Sequence, residues 1–332
     1  MSRILKHSSV PHEGQQRSGL SAHGLSGTVT ALLAVPLAFL LIALAPLTKS
    51  DYAMEIGFRL FLLMTLAEAW NLLAGYGGLV SLGTASCVGI GAYALVGLVN
   101  WGGMPLAAAI AGAGAASAMM ALLVSRAVFR LRGLYFTVGT LALAEALRMF
   151  MVNDSRFGGA SGLFLDIDPP DLRVLFWMAL GLLALTTVVM AVATRSRFSI
   201  LLRTVRDDED AASQIGVRPF RIKLVAFVLA SFLMGMAGGL QGLKLGAVEP
   251  YGMFGIQWSV NVLSVVIIGG LGMRTGPLAG SLFVVTLSEL LADYPALHLS
   301  MTGLILILVI RFAPHGLVGL THRLVAGNRG AG

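Results

Sequence analysis

One cysteine, Cys87, stands in a chain of 332 residues. A single thiol makes no internal disulfide, so a small cross-linked secreted scaffold is excluded. Charge is scarce too. The 23 Lys and Arg and 16 Asp and Glu make up 12% of the chain, about half the ~25% of an ordinary soluble domain. So few charges do not cover the surface of a soluble protein of this size. Disorder, which needs low hydrophobicity and high charge, is excluded by the same figures. Also missing are G-x-x-x-x-G-K-[ST], H-E-x-x-H and G-x-S-x-G. The chain therefore carries no P-loop to hydrolyse ATP, no zincin motif and no nucleophile elbow. No His or Cys pattern offers a metal site, and Cys87 reads as a small packing residue.

What is present is apolar. Residues of the set AVILMFWYC are 57% of the chain, Gly adds 41 residues, and mean hydropathy is +0.85. The runs are too long for barrel strands, so the expectation is an all-α polytopic integral membrane protein. Apolar runs fall at 29–47, 56–75, 79–98, 104–125, 134–150, 174–194, 224–245, 256–271, 276–291 and 297–312. That predicts about ten transmembrane helices, some short or broken. Residues 1–28 are polar, hold His7, His12 and His23, and lack a signal-peptide core, so they read as a cytoplasmic tail. A transmembrane domain over 29–312 and a second cytoplasmic tail, 313–332, complete the expected organisation.

The net charge of +7 is spread over short segments between runs, the pattern of membrane loops and not of a nucleic-acid face. Of the 23 Lys and Arg, Lys49, Arg148, Arg156 and Arg173 fall on one side of the predicted spans. Arg59 and Lys244 lie within runs, and the other 17 fall on the opposite side. The bias puts that side, and both termini, in the cytoplasm.

Glycine clusters three times: Gly75–Gly91, Gly235–Gly246 and Gly269–Gly280. Close helix packing is the simpler expectation. Broken helices along a path are the other. The segment GYGGLVSLGTASCVGIG favours a break, because it also offers the hydroxyls of Ser81, Thr84 and Ser86 and has few helix formers. Gly78, Gly83, Gly91, Gly270, Gly272 and Gly276 are the expected structural glycines. A Gly-rich bend in each half hints at an internal repeat, without residue-level self-similarity. Arg59, Glu68, Glu145 and Glu289 need partners or water at membrane depth. Glu145 and Arg148 share a helix face and read as a pair. Asn71 and Asn261 fit helix–helix hydrogen bonding or a path lining. Candidate path residues are thus Asn71, Ser81, Thr84, Ser86, Glu145 and Asn261. Glu68 and Glu289 keep open a proton-driven carrier working alone.

The loop 195–223 is basic yet carries four consecutive acids, Asp207–Asp210. Thr204 with Asp207 three residues later is a capping pattern, the acids suit a first turn, Ala211 and Ala212 are helix formers, and Gly216 stops the helix. Such a helix on a topology-setting loop reads as a docking element.

The stretch Arg203-Thr-Val-Arg206-Asp207-Asp208-Glu209-Asp210-Ala211-Ala212, then Gly216-Val217 and Lys223-Leu-Val-Ala-Phe227, resembles the coupling-helix loop of the branched-chain amino-acid ABC-transporter permeases, closer to their LivM-like half. GLVSLGTASCVGIGAYA (78–94), LRGLYFTVGTLALAEALR (131–148), VVIIGGLGMRTGPLAGSLF (265–283) and RFAPHGLVGL (311–320) resemble further family segments, in the family's order. Where the Gly-rich segment often has a His, this chain has Thr84. The resemblance implies a permease subunit of a bacterial inner-membrane importer, not an enzyme. A second, LivH-like permease, two ABC ATPases holding ATP and Mg, and a periplasmic binding protein would complete it. A coupling helix over 205–215 would dock on an ATPase through Arg203, Arg206, Asp207, Asp208, Glu209, Ala211, Ala212 and Gly216. The implied cargo is branched-chain or other amino acids, with urea, short amides or aromatic acids as the alternative.

Overall fold

The computed structural model describes residues 50–291 and, beyond them, residues 301, 303–305, 307, 308, 311, 316 and 318. All belong to one unit, Ala45–Gly332. The expected span 29–47, most of 297–312 and nearly all of the two tails lie outside the described residues.

Eight of the ten predicted runs form helices. α1 (Asp51–Asn71) starts at Ser50, whose hydroxyl accepts from the Ala53 amide at 3.4 Å, and continues as a π-turn over Leu72–Tyr76. α2 (Thr84–Asn100), α3 (Leu106–Val128), α4 (Leu134–Asn153) and α5 (Leu172–Arg195) follow. α6 (Arg197–Asp207) and α7 (Glu209–Gln214) form the polar loop. α8 (Pro219–Leu245) opens on Pro219 and ends at Gly246. α9 (Pro250–Met253) precedes α10 (Gln257–Gly269), which forms the predicted run 256–271, and α11 (Gly276–Leu290) is the last helix described throughout. Six stretches are long and apolar enough to cross a membrane; α2 and α11 are shorter. The strand pair β1 (Leu163–Phe164) and β2 (Ala247–Val248), antiparallel with Leu163 opposite Val248, is the single sheet among the described residues.

α8 is the centre, with α1, α2, α3 and α5 packed around it. The second glycine cluster makes this possible. A Cβ on Gly91 of α2 would lie 2.7 Å from the Gly235 carbonyl carbon and 2.8 Å from its Cα. One on Gly238 would lie 2.6 Å from Val88 Cα, and one on Gly239 2.8 Å from Ala113 Cβ. Close approach of backbones is how helices gain contact where lipid supplies no hydrophobic drive. For this cluster the packing expectation is met. At α5, the Phe176 ring sits against Gly57 and 5.2 Å from the Phe61 ring.

The contacts define two ends. At one lie the strand pair, Asn100 bonded to Phe164 O and Asp166 N (2.8 and 3.0 Å), and two ion pairs. Arg59 meets Glu289 at 3.4 Å, with the Tyr52 hydroxyl donating to the same carboxylate at 2.6 Å. Lys244 pairs with Glu55 and lies 4.9 Å over the Phe58 ring. At the other end lie α6, α7 and the turn between α10 and α11. In the interior, Glu68 accepts the Thr187 hydroxyl at 3.1 and 3.2 Å. These buried or membrane-depth charges therefore have the partners that the sequence requires of them.

The polar loop departs from its sequence reading. The continuous helix expected over 205–215 is split at Asp208 (φ −155°), and Thr204 is not its cap. Thr204 is inside α6 and donates to Ile200 O at 3.0 Å. Asp208 caps α7, accepting from the Asp210 and Ala211 amides at 2.9 Å each. Leu202 and Val205 are buried, and holding both against the body keeps the chain helical past Thr204. Gly216 (φ 86°) ends the segment as expected.

Candidate functional site

Two constructions at the broken helix stand out. The first is the break itself, residues 77–83 between the π-turn and α2. Non-helical backbone at membrane depth must have its polar groups met by protein or water. Here side chains of four helices meet them. Trp70 Nε1 donates to Ser81 O at 2.7 Å. The Leu82 amide donates to Thr140 Oγ1 at 3.0 Å, and Leu82 O accepts from Ser259 Oγ at 2.7 Å. Thr137 Oγ1 donates to Val80 O at 2.7 Å. The Gly83 amide donates to Ser81 Oγ at 3.1 Å, and Ser86 Oγ donates back to Gly83 O at 2.6 Å. Ser259 Oγ also accepts from the Ala85 amide at 3.3 Å, at the start of α2. Sequence reasoning found Ser81, Thr84, Ser86 and the glycines here but missed Trp70, Thr137, Thr140 and Ser259.

Behind the break is a cavity of about 10 Å³, room for roughly one water. Ser81, Thr84, Ser86, Thr140 and Ser231 are among the side chains that line it. Among the described residues, the buried hydroxyl of Thr84 has no hydrogen-bond partner. A hydroxyl in this position costs free energy unless a water meets it. Thr140→Val strips the Leu82 amide of its acceptor, a loss of about 1–3 kcal/mol for a buried donor. The variant is expected to insert but to exchange the amides of 80–86 faster. Hydrogen exchange in detergent checks this; unchanged protection would refute the clamp.

The second construction joins three segments at the loop end. Asn71, the last residue of α1, donates through Nδ2 to Met273 O at 2.9 Å and accepts from the Gly272 amide at 2.8 Å. The turn after Gly270 depends on that clasp and on Gly272 (φ 74°). Gly75 packs so closely that a Cβ would lie 2.5 Å from the Gly272 nitrogen. Gly276 faces Gly269 and Gly270 in the same turn. Arg206 reaches in from α6: Nη1 donates to Gly75 O at 2.9 Å, while Nε and Nη2 hold Asp207 at 2.9 and 2.8 Å. Its side-chain stem lies over Gly78. Arg203 lies 4.9 Å over the Tyr76 ring, and Leu202 packs on Gly77. Glu209 binds Lys223 of α8 at 2.5 Å, and Ala212 is buried. Of the expected docking residues, Arg203, Arg206, Glu209 and Ala212 are therefore directed onto the body, while Ala211 and Gly216 are exposed.

Glu145 and Asn261 join neither construction. Both are exposed, on α4 and α10. Glu145 pairs with Arg148, as its spacing suggests, and the Arg148 guanidinium lies 5.0 Å over the Tyr251 ring. No cluster of metal-ligating side chains occurs among the described residues.

The profile of the family described as "Branched-chain amino acid transport system / permease component" matches residues 52–310. The chain is 29% identical to the high-affinity branched-chain amino acid transport system permease protein LivM of Salmonella typhimurium, over 86% of this chain and 74% of that protein. It is 28% identical to LivM of Escherichia coli, over 89% and 76%. Likeness to the Salmonella typhimurium permease LivH is shorter, 26% over 45% and 47%. No solved structure matches. A profile that spans both constructions and most of the chain settles the class: this chain belongs to the branched-chain amino acid transport permease family and is a membrane transport subunit of an ABC system, not an enzyme.

Proposed function

We propose that this chain is the LivM-type half of a permease pair in an ATP-driven importer of amino acids, branched-chain ones first. A LivH-like permease pairs with it in the bacterial inner membrane. Two ABC ATPases, which hold the ATP and Mg, dock from the cytoplasm, where both termini lie, and a periplasmic binding protein delivers the cargo. The observation that carries this reading is α7. It is a short helix with its own cap, tied inward by Lys223 and presenting Ala211, Gln214, Ile215 and Gly216 outward. A loop that only sets topology has no use for a cap or an exposed Ile215. α7 fits a groove on an ATPase, and α6 carries its movement to the broken helix.

The lone ion-coupled carrier has less support. Glu68 is occupied by Thr187, and Glu289 by Arg59 and Tyr52. Purification of the tagged chain from native membranes is expected to bring a second permease and P-loop ATPases. The ligand of the co-purified binding protein then distinguishes amino acids from urea, short amides and aromatic acids. A chain that purifies alone and moves solute in ATP-free vesicles would overturn the reading.

A further inference from the structure

The exposed surface of the described body is unlike on its different sides. The outward stripe of α3 is Ala107, Ala111, Ala115, Met119 and Leu123, and that of α5 is Val174, Trp177, Ala184, Leu185 and Val188. Both are wholly apolar through the span, as lipid demands. α4 is different. Its outward stripe runs Tyr135, Val138, Ala142, Glu145, Ala146 and Met149. Glu145 is the twelfth of 20 residues, so it sits roughly 12 Å from the nearer helix end. Its side chain is 49% exposed. Arg148 pairs with it, yet an ion pair half-exposed at that depth still costs free energy in lipid unless water or protein groups meet it. Asn261, the fifth residue of α10, is exposed as well. Arg148 over Tyr251 and the Thr140 and Ser259 bonds to Leu82 place α4, the break and α9–α10 side by side in one face. Among the described spans α4 is also the least covered: 22% of its apolar window is buried, against 39% in α3 and in α5.

We infer that the α4–α10 face is where the homologous second permease docks, with the aqueous path between the two chains passing Glu145 and Asn261, while α3 and α5 face lipid. This rests on the permease-pair reading above. The partner is a protein and not lipid because the face is mixed. Tyr135, Tyr251 and Arg148 suit an interface core, and Glu145 and Asn261 need hydrogen-bonding groups or water opposite them.

The chain's one native thiol is buried, which makes a direct test simple. In a Cys87→Ser background, Ala142→Cys, Ala146→Cys and Val260→Cys place a reporter on the face, and Ala111→Cys and Ala184→Cys serve as lipid-side controls. Each is labelled with benzophenone maleimide in the purified complex and irradiated. The face positions are expected to give adducts with the second permease, and the controls to give none. Adducts from α3 or α5 in a preparation that contains both permeases, or adducts only with a second copy of this chain, would overturn the assignment and leave the importer reading intact. A preparation with no second permease overturns the importer reading and this assignment with it. A native-like elution volume and labelling stoichiometry for each variant show that it is folded.

Discussion

Gly91→Val is expected to remove the protein from the membrane fraction almost entirely. The new Cβ would overlap the Gly235 carbonyl oxygen and stand 2.7 Å from the carbonyl carbon and 2.8 Å from the Cα of the same residue in α8. Nothing there is a flexible side chain that can turn aside. α2 and α8 must separate, and the Val88–Gly238 approach one turn away opens with them. Overpacking usually costs about 1–3 kcal/mol. A backbone-on-backbone clash at the centre of the bundle belongs at or above the top of that range. It also removes contacts that have no hydrophobic substitute in lipid. Gly181→Val is the matched control. That glycine lies on the exposed side of α5 with nothing within 4 Å of an added Cβ, so accumulation is expected to stay at the native level. Fluorescence-detected size exclusion of tagged variants measures both. Equal profiles for the two variants would refute the packing account.

The contrast shows which parts of the molecule were legible in the sequence. Glycine spacing along a run reports close packing, because few other residues allow it. Spans were legible for a similar reason: ~20 apolar residues have few other uses. The break at 77–83 was legible from Gly75, Gly77, Gly78 and Gly83, and the turn after α10 from Gly270 and Gly272. What satisfies these breaks was not. Thr137, Thr140 and Ser259 look like ordinary mid-helix hydroxyls, which usually bond back to their own helix. Their partners at Val80 and Leu82 are tens to well over a hundred residues away. Arg59 with Glu289 and Lys244 with Glu55 were unpaired charges in the sequence and are ion pairs in the fold. The cap was misplaced because Thr204 and Asp208 both suit a helix start. Only the burial of Leu202 and Val205 decides between them, and burial is a tertiary fact.

Arg206 belongs to the same class of residue, and its removal is expected to separate ATP use from transport. In the proposed importer the ATPases hold α7. Any shift of α7 passes to α6 through Asp208, and α6 reaches the π-turn and the break through Arg206 on Gly75, Arg203 on Tyr76 and Leu202 on Gly77. Gly75 is in the π-turn, where the backbone already departs from α geometry. The Asn71 clasp ties that turn to the start of α11, so one pull at Gly75 reaches both α1 and α11. A hydrogen bond to a charged group is worth about 1.5–3 kcal/mol. Its loss in Arg206→Ala is therefore expected to lower uptake roughly ten- to a hundredfold. Hydrolysis by the assembled complex should change little, because α7 keeps its own cap and Lys223 partner. Arg206→Lys keeps the charge but loses the two-sided grip on Gly75 and Asp207, and is expected to fall between. Reconstituted complexes assayed for both uptake and phosphate release give the ratio directly. A variant that loses both activities together, or keeps both, would show that α6 does not carry the movement. The linkage would then have to run through the Arg203–Tyr76 contact or through Lys223 into α8.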